Sequence, residues 1–82
     1  MISGYEQLRV WEQAHALALA IYTVTKQFPA SELYGLTSQI RRSVVSISAN
    51  IAEGHARSTR REYAQFCFTA RGSLAETRCL LR

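Results

Sequence analysis

The side chains best suited to chemistry in this chain are arginines, and no catalytic group accompanies them. The histidines His15 and His55 and the cysteines Cys67 and Cys79 follow neither the C-x-x-C nor the H-x-x-x-H spacing of zinc ligands. The serines lie outside any G-x-S-x-G elbow, and the isolated glycines form no phosphate-binding loop. The sequence therefore predicts no enzyme, no cofactor and no metal site, and a small hydrolase is the least favoured hypothesis.

The positive charge lies in the second half of the chain. Residues 1–34 hold two basic residues against three glutamates, a net charge of −1, whereas residues 35–82 hold eight arginines against three glutamates, a net charge of +5. Guanidinium groups make forked hydrogen bonds to phosphate and carboxylate. This charge predicts an acidic partner, with the RNA or DNA backbone as the first candidate. A solvated surface that binds nothing is the alternative.

Five arginines are candidate nucleic-acid contacts. Arg41 and Arg42 belong to one turn of a predicted helix, and Arg57, Arg60 and Arg61 cluster around the start of the next helix. A helix N-terminus adds free N–H groups and partial positive charge, which favour phosphate. Such contacts bind the backbone rather than read bases, and they depend strongly on salt. The sequence predicts no aromatic platform for stacked single-stranded bases.

Three amphipathic helices are predicted to position these arginines, over about residues 10–28, 36–53 and 60–82. Pro29 ends the first helix, and Thr59 with Glu62 has the T-x-x-E form of a capping box before the third. Similar helix lengths and short loops are typical of an antiparallel up-down bundle. We therefore expect one all-α domain over residues 1–82, with the large aromatic residues packed in its core or at an interface.

The second helix, within YGLTSQIRRSVVSISANIAEG, has two neighbouring faces. Its apolar face contains Leu36, Ile40, Val44, Ile47 and Ile51. A polar stripe beside it contains Gln39, Arg42, Ser46, Asn50 and Glu53. The stripe predicts hydrogen bonds between helices, so Arg42 has packing as an alternative to nucleic-acid binding. Gly54 is predicted to end the helix in the left-handed conformation.

The third helix has two apolar sides and therefore needs two neighbours. The main side contains Tyr63, Phe66, Cys67, Ala70, Leu74 and Leu81, and the second contains Ala64, Phe68, Gly72, Ala75 and Cys79. Gly72 in mid-helix predicts a close approach of another backbone. Because the chain stops within the pattern of this helix, we expect an incomplete core. Either the product is longer, which is the favoured interpretation, or other subunits supply the missing contacts.

Several motifs in order resemble one bacterial family. LRVWEQA, FPASELYGL, GLTSQIRRS, SISANIAEG and ARGSLAE resemble the "four helix bundle protein" family, which includes the 23S rRNA intervening-sequence proteins. The family is similar to the accessory variability protein of diversity-generating retroelements, which binds a reverse transcriptase and RNA. The resemblance implies a left-handed four-helix bundle, of which this chain has three helices, and a homo-oligomer such as a pentamer. It also implies a non-catalytic, nucleic-acid-associated accessory or scaffold role.

A protein–protein adaptor is the second functional hypothesis. It would use the apolar side of the third helix to dock a polymerase or another enzyme, without touching nucleic acid. The apolar runs are too short to span a bilayer, so no membrane partner is expected. Two cysteines twelve residues apart on one helix cannot pair with each other and fit a reducing compartment. We therefore expect a cytoplasmic protein.

Overall fold

The computed structural model describes residues 4–82, and within them the fold is all-α. Its elements are short 3-10 turns at Gly4–Gln7 and Ala30–Glu32, a π-helical turn at Leu33–Thr37, and the helices α1 (Arg9–Thr25), α2 (Ser38–His55) and α3 (Arg60–Leu80). No strand occurs in residues 4–82, which confirms the predicted fold class. The predicted domain of residues 1–82 begins three residues before this range. Within residues 4–82, every helix lacks either the length or the apolar character that membrane crossing requires.

The first helix ends earlier than its sequence pattern predicts. The pattern continues to Phe28, but α1 ends at Thr25. Beyond it the chain tightens, because the N–H groups of Gln27 and Phe28 donate to the carbonyls of Val24 and Thr25, three residues back, at 3.1 Å. Pro29 then leads into the Ala30–Glu32 turn. The π-helical turn continues directly into α2, so the second helical segment begins before Ser38.

Helix α2 lies between the other two. It packs extensively against α1 on one side and α3 on the other, whereas α1 and α3 barely touch. The pairs Ser43–Thr77 and Ser46–Ser73 show that α2 and α3 are antiparallel, since residue numbers rise on one helix as they fall on the other. The Cα atoms extend over 43 × 26 × 17 Å, so the three helices form a flattened layer.

The core is built mainly on α2. Its apolar face was predicted correctly: Ile40 and Val44 are 0% exposed, Ile47 and Ile51 are buried, and Leu36 packs partly buried against them. Fully burying an aliphatic side chain of this size contributes about 1.5–3 kcal/mol. The buried apolar residues of all three helices are Ala14, Ala18, Ile21, Ile40, Val44, Ile47, Ile51 and Ala70. Since α1 and α3 contribute mostly alanines, both come close to α2.

Neither Gly54 nor Gly72 has the role that the sequence predicts for it. Gly54 is not a left-handed cap: α2 continues to His55, and no residue among 4–82 has a positive φ. Instead, a Cβ at Gly54 would lie 2.6 Å from the Cβ of Phe66, so the glycine allows α3 to pack closely. At Gly72, the predicted close approach is wrong for the described residues, because a Cβ there meets nothing within 4 Å.

Two apolar surfaces have no neighbour among residues 4–82. The second side of α3 is solvent-exposed, including Phe68 at 65% exposure. An apolar groove of about 210 Å³ also runs between α1 and α3, over Ile47 and Ile51, with Val10 and Leu74 at its edges. Residues 4–82 include no helix that fills this groove.

Candidate nucleic-acid interface

Small hydroxyl side chains join α2 to α3. Ser43 Oγ lies 2.8 Å from Thr77 Oγ1, and Ser46 Oγ lies 2.7 Å from Ser73 Oγ. Asn50 Nδ2 donates to the carbonyl and the hydroxyl of Ser46, at 2.7 and 2.9 Å. We call these five residues the hydroxyl seam. Within the predicted polar stripe, Ser46 therefore bonds to α3, and Asn50 bonds to Ser46 from within α2.

The other stripe residues lie outside the seam. Gln39 and Arg42 are exposed, and Arg42 makes no hydrogen bond or ion pair with any of residues 4–82. Ser73 and Thr77 were not predicted as partners of α2, although their spacing of four residues places them on one face of α3. A search for small polar residues on one face of each helix could have found the seam.

Arg41 is held against α1 rather than exposed to solvent. Its Nε donates to Thr25 Oγ1 at 2.9 Å, and its Nη2 reaches the carbonyl of Tyr22 at 3.5 Å. Its guanidinium carbon lies 4.6 Å from the centroid of the Tyr22 ring, within cation–π distance. Arg42, the next residue, is rotated about 100° around the helix, is exposed, and has no partner among residues 4–82. The two candidate arginines therefore have different environments.

Arg57 is partly neutralised at the other end of α2. Its Nη2 forms an ion pair with Glu53 Oε2 at 2.9 Å, one helical turn away. Its guanidinium carbon also lies 4.9 Å from the centroid of the Phe66 ring on α3. Exposed ion pairs of this type contribute only ~0.2–1 kcal/mol, so a phosphate can compete for this arginine.

Arg60 and Arg61 are the two unpaired arginines of the three predicted near the α2–α3 loop. Both are exposed in the first turn of α3, and neither has a hydrogen-bond or ion-pair partner among residues 4–82. Thr59 caps this turn as predicted: its Oγ1 accepts from the Glu62 N–H at 3.1 Å. The same hydroxyl donates to Glu62 Oε1, also at 3.1 Å, so the carboxylate binds the side chain of the cap.

The five predicted arginines do not form one patch. Arg41 and Arg42 lie near the start of α2, and Arg57, Arg60 and Arg61 lie beyond its end. Thirteen residues of α2, from Ser43 to His55, lie between the two groups and separate them by about 20 Å. The structure therefore contains two basic regions, which we call the α2-start region and the α3-start region. Further exposed arginines occur along α3.

Titratable groups outside these regions pack with aromatic rings. The His15 ring stacks on Trp11 with a centroid distance of 4.8 Å, and His55 meets Tyr63 edge-on at 6.0 Å. Burial, with a smaller contribution from Cys67, raises the pKa of Tyr63 above its ordinary value. Among residues 4–82, no three His, Cys, Asp or Glu side chains come together in a way that could hold a metal ion.

These features define a class of protein: a small all-α unit of antiparallel helices, joined by hydroxyl groups and carrying unpaired arginines on its surface. The sequence profile of the 23S rRNA-intervening sequence protein family matches residues 6–82, nearly the whole chain. The chain belongs to this family. No curated protein matches it significantly.

Proposed function

We propose that this chain is a non-catalytic RNA-binding protein of the cytoplasm, an accessory or scaffold protein that binds the RNA backbone through exposed arginines. The observation that carries the proposal is the pair Arg60–Arg61, two accessible guanidinium groups with no carboxylate partner among residues 4–82. The family name, which refers to 23S rRNA, supports RNA as the polyanion.

The α3-start region is open to phosphate, because the nearby carboxylates of this chain do not occupy Arg60 and Arg61. Glu53 binds Arg57 and Glu62 binds the Thr59 cap, so both nearby acidic groups already have partners. The N-terminus of α3 adds the partial positive charge of the helix dipole next to Arg60 and Arg61. Two adjacent guanidinium groups can each make a forked contact to a phosphate.

Salt-dependent RNA binding tests the proposal. The affinity of the 82-residue chain for a labelled RNA hairpin would be measured by fluorescence anisotropy between about 50 and 200 mM salt. Binding to the phosphate backbone weakens steeply over this range. The double variant Arg60→Ala/Arg61→Ala should bind more weakly and reduce the slope of log K against log[salt] by about 2. Arg60→Lys/Arg61→Lys should keep most of the slope.

A matched control removes the same charge elsewhere. Arg78→Ala/Arg82→Ala deletes two exposed arginines, one near the end of α3 and one just after it. Arg78 is seventeen residues from Arg61, about 25 Å along the helix. The control should therefore lose less affinity than Arg60→Ala/Arg61→Ala. Equal losses would assign binding to net charge alone and reject this region, and an absence of RNA binding by the wild type would reject the function.

We also propose that the chain forms a homo-oligomer, for which the resemblance suggests a pentamer. The exposed second side of α3 and the apolar groove between α1 and α3 support self-association, because each presents apolar surface to water. Light scattering of the 82-residue chain tests this, and a folded monomer across the micromolar range would contradict it. Phe68→Ser should shift the equilibrium toward smaller species.

The same apolar surface favours a second candidate function. In this alternative, the chain is an adaptor whose α3 docks a polymerase or another enzyme without contacting nucleic acid. Phe68, at 65% exposure, is the residue that best supports it. A protein partner retained after nuclease treatment, and lost with Phe68→Ser but not with Arg60→Ala/Arg61→Ala, would favour the adaptor.

A further inference from the structure

A cleft at the α2-start region combines exposed aromatic and cationic groups. It lies where the end of α1 meets the start of α2 and has a volume of about 320 Å³. Its lining residues are Tyr22, Leu33, Tyr34, Thr37, Ser38, Arg41 and Arg42. Ligand sites in proteins typically occupy roughly 300–1,000 Å³, so the cleft is large enough for one small group. We call it the Tyr–Arg cleft.

One wall of the cleft is fixed in place. Arg41 is anchored by its 2.9 Å bond to Thr25 Oγ1 and by the Tyr22 ring beneath its guanidinium. These contacts use only part of the donor capacity of the guanidinium, so N–H groups remain for a ligand. Because the side chain is already ordered, an anion that binds it does not have to restrict its rotamers.

The other groups of the cleft have no partner within the described chain. Tyr34 is 93% exposed and makes no ring contact with an aromatic residue among 4–82. Arg42 is exposed and unpaired in the same range. Thr37 is 2% exposed, and its buried Oγ1 has no hydrogen-bond partner. Buried polar groups are normally satisfied, so an unpartnered hydroxyl beside the cleft needs an explanation.

We propose that the Tyr–Arg cleft binds one nucleotide of single-stranded RNA, with the base stacked on Tyr34 and the adjacent phosphate bound by Arg42 and Arg41. The proposal rests on the RNA-binding function proposed above and specifies the strand type. An aromatic face next to guanidinium groups is the combination that single-strand binders use. In a duplex the bases are already stacked and paired, so they cannot cover Tyr34. The cleft supplies the aromatic surface that the sequence alone did not predict.

Comparing single- and double-stranded RNA tests this proposal. The probes are a labelled twelve-nucleotide oligouridylate and a labelled RNA duplex, measured by fluorescence anisotropy with the 82-residue chain. Tyr34→Ala should lower single-strand affinity roughly 5- to 150-fold, the range expected for one stacked base, and change duplex affinity less than about twofold. Tyr34→Phe should retain single-strand binding, since it keeps the ring.

Arginine variants test the phosphate contact. Arg42→Ala should weaken single-strand binding and reduce its salt slope by about 1. Arg9→Ala is the matched control, because Arg9 is exposed on α1 and lies thirteen residues, about 20 Å, from Tyr22. Circular dichroism would check folding, and the exposure of Tyr34 and Arg42 predicts that these variants remain folded.

Photocrosslinking gives a second, direct readout. A single strand containing 4-thiouridine would be irradiated with the protein and digested with trypsin, and the adduct would be located by mass spectrometry. The cleavage sites Lys26 and Arg41 bound a peptide of residues 27–41 that contains Tyr34. An adduct on Tyr34 supports the proposal, and adducts confined to other peptides overturn it.

The results separate the two proposals. If the wild type binds RNA but Tyr34→Ala loses nothing, or loses equally for single strands and duplex, the cleft proposal is wrong and the RNA-binding function stands. If the wild type binds neither probe, both proposals are wrong.

Discussion

Ser43 on α2 and Thr77 on α3 share a buried hydrogen bond, with their hydroxyl oxygens 2.8 Å apart. Each hydroxyl also has a second acceptor on its own helix: the Ile40 carbonyl at 3.0 Å for Ser43 and the Ser73 carbonyl at 2.8 Å for Thr77. Each hydroxyl carries a single hydrogen, so the pair cannot make all three bonds at once. One hydroxyl therefore donates across the interface while the other donates to its own helix.

This arrangement predicts that Ser43 and Thr77 are energetically coupled. Ser43→Ala and Thr77→Val should each lower the free energy of unfolding by about 1 kcal/mol, because each removes one bond between the helices. The double variant should lose less than the sum of the two, by about 0.5–1 kcal/mol. Urea denaturation at a fixed protein concentration measures these differences, since any self-association also affects stability.

Ser48 provides the control for this cycle. It is buried on α2, but among residues 4–82 its hydroxyl donates only to the Val45 carbonyl of its own helix, at 3.3 Å. Ser48→Ala combined with Thr77→Val should therefore be additive. Additivity for Ser43 with Thr77 as well would contradict a contribution from the seam.

Alanine at the two helical glycines should have opposite effects. Gly54→Ala places a Cβ 2.6 Å from the Cβ of Phe66, which is fixed to the α3 backbone and cannot rotate away. Separating the helices should cost about 1–3 kcal/mol of unfolding free energy. Gly72→Ala meets open space and replaces a poor helix former, so it should stabilise the protein by up to about 1 kcal/mol. Thermal melts of the two variants would check both signs, and a stabilised Gly54→Ala would show that α2 and α3 are not closely packed there.

The sequence predicts the core face of α2 correctly but not the role of Gly54. The apolar period of three or four residues was sufficient to place Ile40, Val44, Ile47 and Ile51 on the core face of α2, because the period is a local property of the helix. The role of Gly54 was not local. It depends on Phe66, twelve residues later, and on how closely α3 lies against α2.

In the candidate site too, the sequence predicts local features but not those that depend on packing between helices. The clustering of arginines in the sequence predicted five candidate residues, but it could not separate Arg41 from its neighbour Arg42. A step of one residue turns the helix by about 100°, so one arginine meets Thr25 and Tyr22 while the other meets solvent. The Tyr–Arg cleft was also missed, since aromatic residues are expected to be buried and only the fold shows Tyr34 to be 93% exposed.

The pKa of Tyr63 predicts how stability depends on alkaline pH. Burial against the α2–α3 interface, with a smaller contribution from Cys67, raises the pKa of Tyr63 above 10.0 in the folded state. An unfolded tyrosine releases its proton near pH ~10, whereas the folded protein still holds it there. The unfolded state then binds fewer protons than the folded state, so the free energy of unfolding falls as pH rises. The contribution of Tyr63 to the free energy of unfolding is complete below about pH 10. It is lost as pH rises from the pKa of the unfolded state to the higher pKa of the folded state.

Tyr63→Phe should remove this part of the alkaline slope. Urea denaturation of the wild type and the variant between about pH 8 and pH 11 would measure it, with ultraviolet absorbance to follow phenolate formation. Tyr34→Phe is the matched control, because it makes the same replacement at a residue that is 93% exposed. If Tyr63→Phe retains the wild-type slope, the loss of stability arises elsewhere, and the phenol of Tyr63 ionises as readily in the folded protein as in the unfolded chain.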